Sequence, residues 1–210
     1  MLLNCSSKAY SFLVMLSKLK NRLNNNVIDK SLLYVTFGVY LFILFWAIAL
    51  KFNAEWLPEL GRYFRSSPLW DRVGWGIVPF VNIFRYLDKD PLNYLDFVMN
   101  FVVYAPLGIY LMLILRNKRK KLLAIAIIVL SSITFETVQL ITGFGGCDGT
   151  DFAMNSLGGV FGMVLFNRLS PRTSNKTINW INFGALVVFS PLAIYGLVNT
   201  LLNLHLYKIY

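Results

Sequence analysis

The chain has 210 residues and a formal net charge of +10, with 57% hydrophobic and only 14% charged residues. A soluble domain carries roughly a quarter charged residues, so this composition excludes an ordinary soluble protein and indicates lipid as the solvent. Strong basicity can signal nucleic-acid binding. Here the basic residues lie mostly between apolar runs, which indicates membrane topology, and we expect no nucleic-acid partner.

Residues 1–30 mix Tyr10, Phe12 and several leucines with four lysines. The pattern is compatible with a helix lying on the inner leaflet or with an unstructured tail. We therefore treat 1–30 as a cytoplasmic or interfacial segment, separate from a single transmembrane domain over 31–210.

Five apolar runs then predict an all-α, polytopic integral membrane bundle of about five transmembrane helices. A helix of about 20 residues crosses the hydrocarbon core, so the fourth run is short. Alternation with a period of two, which a transmembrane β-barrel needs, does not occur in these runs. The runs cover residues 31–50, 97–115, 122–141, 152–166 and 180–202.

The connections between the runs differ in charge. The N-terminal segment and the second-to-third and fourth-to-fifth connections hold most of the lysine and arginine and a single acid, Asp29. Basic segments stay in the cytoplasm, so we expect the N-terminus inside and the C-terminus outside. The connection 51–96 is too long for a hairpin. Its stretch 74–87 reads as re-entrant or interfacial, either capping the bundle or contacting a ligand.

Polar side chains recur at helical spacing on three of the runs, so each set forms one narrow stripe. An intramembrane carboxylate is costly and often marks function, and Glu136 is the one charge well inside a run. The stripes are Asp96, Asn100 and Tyr104 on the second run, Ser132, Glu136, Gln139 and Gly143 on the third, and Asp151, Asn155, Gly158 and Gly162 on the fourth.

The three stripes reach a similar depth. Glu136 lies about five residues before the outer end of its run, and Asn100 and Asn155 about four after their outer starts. At 1.5 Å per residue, all three are roughly 6–8 Å deep. We therefore predict a polar pocket opening toward the outer leaflet or the external water. Its predicted binding residues are Asn100, Tyr104, Glu136, Gln139, Asp148, Asp151 and Asn155.

Several of these residues have structural alternatives. Asn155 and Gln139 suit interhelical hydrogen bonds, and Asp148 or Asp151 suits the cap of the fourth helix. The pair Gly158 and Gly162 suits close helix packing. Pro106 is expected to kink the second helix.

Enzyme signatures give little guidance. The sequence has no GxSxG, HExxH or P-loop motif and no CxxC pair. We predict neither a metal nor a cofactor, and Glu136 is the candidate catalytic residue if the protein is an enzyme.

Residues 79–166 resemble the VanZ-like family. The run from Asn100 to Gly108 resembles its N-x-x-x-F-x-P-L-G helix, and the pair Glu136 and Gln139 its E-x-x-Q motif. The stretch 148–159 resembles its D-x-x-D-x-x-x-N-x-x-G-G motif, and Pro79 begins a match to its I-P-F element. One departure is Gly145, where the family usually has arginine.

This resemblance implies a multi-pass protein of the bacterial plasma membrane, associated with glycopeptide (teicoplanin) resistance. Three functions stay open at this point. The protein binds a lipid or lipid-linked cell-wall precursor in the outer pocket, or it is an enzyme on such a lipid with Glu136 as acid or base, or it is a proton-coupled flippase or transporter. The sequence leaves the oligomeric state open.

Overall fold

The structure is a computed structural model that describes residues 2–49, 92–115, 120–142 and 149–207. These residues form six α-helices and a 3₁₀ turn, Ser170–Arg172, and contain no strand. The all-α prediction is therefore confirmed. The helices are α1 Leu2–Leu23, α2 Lys30–Ala49, α3 Leu92–Leu115, α4 Lys121–Thr142, α5 Gly149–Leu169 and α6 Asn175–Tyr207.

Four of the helices, α2, α3, α4 and α6, are long and apolar enough to cross a membrane. Helix α5 has 21 residues, about 30 Å at 1.5 Å per residue, so it is longer than the predicted run 152–166. It is less apolar than the other four because Asp151, Asn155 and four glycines interrupt its aliphatic residues. That α5 crosses the membrane as the fifth span stays a prediction.

Two of the helices begin at polar capping residues that precede the apolar runs. The carboxylate of Asp29 accepts a hydrogen bond from the Leu32 amide at 3.1 Å, which caps α2. The hydroxyl of Ser174 accepts one from the Thr177 amide at 3.1 Å, which caps α6. Such caps satisfy amides that a helix N-terminus leaves without a partner.

Helices α3 and α5 pack parallel with their backbones in contact. A Cβ at Gly158 would overlap the carbonyl oxygen of Phe101, and a Cβ at Gly162 would overlap that of Ala105. Both contacts advance by four residues along both helices, so the helices run in the same direction. The two glycines therefore serve the close packing that their spacing suggests.

Helix α4 runs antiparallel to α5. A Cβ at Gly159 would stand 2.5 Å from the side chain of Ile128, and the Ser132 hydroxyl donates to the Phe152 carbonyl at 3.3 Å. Residue numbers rise along α4 as they fall along α5, which fixes the antiparallel direction.

Helices α2 and α6 are parallel, since Thr36 bonds to the Asn182 carbonyl and Trp46 packs against Gly196. Helix α4 follows α2 in direction, since Phe135 pairs with Phe45 at 6.3 Å and Gln139, one turn later, bonds to the carbonyl of Ile48. Sequence analysis placed three basic segments on the cytoplasmic side. The helix directions bring these three segments to one end of the bundle, which we call the basic end. That this end faces the cytoplasm stays a prediction. The basic end is formed by Lys30, Leu115, Lys121, Leu169 and Asn175.

The N-terminal segment is a helix rather than a tail. The connection between α1 and α2 is held to α6 by Asn179, whose Oδ1 accepts from the Asp29 amide at 2.9 Å and whose Nδ2 donates to the Val27 carbonyl at 3.0 Å. Tyr10 and Phe12 remain exposed on α1. The placement of α1 on the inner leaflet remains a prediction.

The buried core lies among α2, α3, α4 and α5. The hydroxyl of Tyr40 donates to the Val103 carbonyl at 2.8 Å, and its ring lies 5.6 Å from that of Tyr110. Helix α3 stays helical through Pro106. The predicted interfacial stretch 74–87 lies outside the described residues.

Candidate functional site

Six of the seven predicted pocket residues have described side chains, and all six are at most 9% exposed. They lie on α3, α4 and α5, the three helices that sequence analysis brought together. Asp148, the seventh, lies outside the described residues, as does the side chain of Asp96. The six are Asn100, Tyr104, Glu136, Gln139, Asp151 and Asn155. We call this set the polar cluster.

The helix register brings the members of the cluster to a similar level. The contact between Ser132 and Phe152 places Glu136, one turn further along α4, beside the first turn of α5, which contains Asp151. The contact between Gly158 and Phe101 places Asn100 and Asn155 within a turn of each other. The side chains thus converge toward the end opposite the basic end, as the spacing predicted.

Tyr104 links α3 to α4 within the cluster. Its hydroxyl accepts a hydrogen bond from the Ser131 hydroxyl at 3.5 Å, less than two helical turns before Glu136 on α4. Its ring packs edge-on against Phe135, with centroids 6.3 Å apart. A phenol and a carboxylate in the same cluster can each form a hydrogen bond with a hydroxyl group.

The side-chain amide of Asn155 stands out in the cluster for its lack of hydrogen-bond partners. It is fully buried, and neither its amide nitrogen nor its amide oxygen has a hydrogen-bond partner among the described residues. The buried amide nitrogen of Asn100 likewise has no hydrogen-bond partner among the described residues. A buried polar group without a partner costs about 1–3 kcal/mol. Asn155 therefore offers one donor and one acceptor to a guest molecule or to ordered water.

Gln139 has a structural contact. Its Nε2 donates to the carbonyl of Ile48 at 2.8 Å, in the last turn of α2. The last four carbonyls of a helix have no partner within the helix, so this bond satisfies one of them and ties α4 to α2. The interhelical alternative for Gln139 is therefore present in the structure, although its amide oxygen still has no partner among the described residues.

The cluster combines carboxylates, amides and hydroxyls rather than a metal-ligand set. The described residues contain no group of three or more His, Cys, Asp or Glu side chains placed to hold a metal ion. The arrangement can bind a molecule that carries both hydrogen-bond donors and acceptors. It can also place a carboxylate, Glu136, against that molecule.

Sequence analysis missed several polar side chains. Thr150 is fully buried at the start of α5, where its place in the first turn beside Asp151 was the available signal. Asn179 and Asn182 are buried on α6, a helix to which no polar role was assigned. Their spacing of three residues is the helical period that singled out the other stripes.

A second feature lies toward the basic end. A cleft of about 270 Å³ opens among α3, α5 and α6, lined mainly by apolar side chains that include Pro106, Tyr110 and Phe189. It shares no lining residue with the polar cluster.

Comparison with known proteins adds the family. The VanZ/LLP1 family model matches residues 37–170, a range that contains the whole polar cluster. Protein VanZ of Enterococcus faecium is 26% identical over 153 residues, which cover 72% of this chain and 81% of that protein. No solved structure matches. With its long apolar helices, the chain is a membrane protein that belongs to the VanZ/LLP1 family.

Proposed function

We propose that the protein works in the bacterial plasma membrane, where its polar cluster binds a lipid or a lipid-linked cell-wall precursor and thereby alters susceptibility to glycopeptides of the teicoplanin type. The observation that carries the proposal is Asn155, whose buried amide has no partner among the described residues. A bound headgroup that pairs with this amide offsets the cost of burying it.

The chemistry of the cluster favours a particular kind of headgroup. Glu136 and Asp151 are acceptors when ionised, and Tyr104 and the amides of Asn100 and Asn155 add donors and acceptors. Two carboxylates repel a bare phosphate and attract hydroxyl, amide and amine groups. A headgroup with sugar hydroxyls or peptide N–H groups therefore fits better than a simple phosphate.

The proposed depth of the cluster in the membrane matches the leaflet in which the drug is anchored. With the basic end in the cytoplasm, the cluster lies just beneath the external headgroups. Teicoplanin-type drugs carry an acyl chain that anchors in that leaflet. A protein that holds a lipid-linked species there changes what the drug meets at the membrane surface.

Drug susceptibility of matched variants tests the proposal. Glu136→Gln and Asn155→Leu are compared with Thr137→Val, since Thr137 is exposed on α4 and bonds within its own helix, to the Ile133 carbonyl. At equal protein levels in the membrane, we expect the first two to return teicoplanin susceptibility to that of cells lacking the protein. Wild-type resistance in both variants would contradict the proposal.

A second candidate function is catalysis on the same lipid. Glu136 and Tyr104 are both buried in the polar cluster, and a carboxyl group in such a site is suited to acid–base chemistry on a bound hydroxyl group. Profiles of envelope lipids and cell-wall precursors separate the two functions. A modified lipid that disappears in Glu136→Gln supports an enzyme, whereas lost resistance with unchanged lipids supports binding.

A further inference from the structure

The cleft among α3, α5 and α6 has the shape and lining of a site for a lipid tail. Apolar residues such as Ile109, Leu113 and Phe189 line it. Two lining residues, Leu169 and Ile181, are 51% and 61% exposed, so the cleft borders the lipid-facing surface. An apolar tail can therefore enter it from the side without crossing a polar barrier.

A buried polar side chain, that of Asn182, lies within this mainly apolar lining. Asn182 is only 3% exposed and lines the cleft. Its contact with Thr36 is made by the backbone carbonyl, so its side-chain amide takes no part in that bond. A buried amide facing an apolar cleft indicates a guest that carries a polar group at that depth.

The mouth of the cleft lies at the basic end. Ser170, which begins the 3₁₀ turn, and Thr173, which follows it, form part of the lining. Three exposed basic residues stand around this turn, which are Arg168 in the last turn of α5, Arg172 in the 3₁₀ turn and Lys176 in the first turn of α6. None of the three makes an ion pair with the described residues, whereas Arg22 pairs there with Asp29. The mouth therefore presents positive charge toward the headgroup layer.

The geometry points to a second ligand site, in which this cleft holds one acyl chain of an anionic glycerophospholipid of the inner leaflet, with its ester group at Asn182 and its phosphate at Arg168, Arg172 and Lys176. The site is separate from the polar cluster and does not depend on the function proposed above.

The dimensions agree with this placement. Asn182 is seven residues beyond Asn175, the start of α6, or about 10 Å deeper at 1.5 Å per residue. Phe189 lies about 10 Å deeper again. The order along α6 is thus positive charge, amide and apolar wall. A glycerophospholipid has the same order of phosphate, ester and hydrocarbon.

Native mass spectrometry of the purified full chain tests the site, with phosphatidylglycerol and phosphatidylcholine titrated separately. We expect phosphatidylglycerol to bind more tightly. The triple change R168Q/R172Q/K176Q should weaken phosphatidylglycerol binding by about tenfold or more, since each basic residue near an anionic surface contributes roughly 1 kcal/mol. Phosphatidylcholine binding should change little.

The control K120Q/K121Q removes two exposed charges from the start of α4, at the same end of the bundle but outside the cleft lining. An equal loss in this control would mean that the preference is general surface charge, and would overturn the proposal.

Two variants test the cleft itself. Ala185 lines it, so Ala185→Phe should fill the space and remove most binding of both lipids. Asn182→Leu, which adds little volume, should weaken both by about two- to tenfold through loss of one hydrogen bond. Circular dichroism confirms that each variant is folded. Unchanged binding in Asn182→Leu and in a folded Ala185→Phe would overturn the proposal, as would equal affinity of the wild type for the two lipids.

Discussion

Replacing Gly162 by alanine should destabilise the bundle, although alanine is the better helix former. A Cβ at this position would overlap the carbonyl oxygen of Ala105 and stand 2.8 Å from its carbonyl carbon. Carbon atoms pack at about 3.5–4.0 Å, so α3 and α5 would have to separate by roughly 1 Å. The obstacle is backbone, so no rotation of a side chain relieves it.

Gly184 provides the matched control, because a Cβ there meets no atom within 4 Å. Both variants gain the same helix propensity, about 1 kcal/mol for glycine to alanine. The difference between them therefore isolates the packing cost. Overpacking a close-packed contact costs about 1–3 kcal/mol. We expect Gly162→Ala to be less stable than Gly184→Ala by that amount.

The assay is reversible unfolding in mixed micelles with increasing dodecyl sulfate, followed by circular dichroism. It gives the free energy of unfolding of the wild type and of both variants under one condition. If the two variants differ by less than about 0.5 kcal/mol, the ordinary error of such comparisons, the close approach of α3 and α5 at Gly162 is wrong.

Other contacts give predictions for the same assay. Tyr40→Phe should cost about 1 kcal/mol, because it removes the hydrogen bond to Val103 and keeps the ring; no loss would mean that this bond is not formed. Gln139→Leu should cost about 1 kcal/mol or more by leaving the Ile48 carbonyl without its bond, and a neutral result would argue against that contact. Asn179→Leu should expose the connection between α1 and α2 to protease, since it removes the bonds that hold this connection to α6; wild-type protease resistance would contradict that role.

Much of the polar cluster could be predicted from sequence because helices have a fixed period and the bilayer fixes depth. Glu136, Asn100 and Asn155 stand at helical spacing from other polar residues, and the alternation of basic connections gives the direction of each helix. Those two rules place the three side chains at one level, and the helix register in the structure agrees.

Other features could not be predicted because they depend on which helices are neighbours. The bond from Gln139 to Ile48 joins positions 91 residues apart, and no local pattern indicates that α4 passes the end of α2. The additional residues at both ends of α5 were not predicted, because its start and end are polar and an apolar window excludes them. The cleft at the basic end is likewise a gap among three helices, and no residue type marks a gap.

The most direct test of the central claim is identification of the lipid that the polar cluster retains. Protein carrying Ala185→Phe, in which the separate cleft is filled, is purified from bacterial membranes in mild detergent, with and without Asn155→Leu, and bound lipids are identified by mass spectrometry. We predict that the single variant retains a lipid or lipid-linked precursor with a hydroxyl- or amine-bearing headgroup, and that adding Asn155→Leu removes it. Recovery of the same lipids in the same amounts from both proteins would contradict the claim.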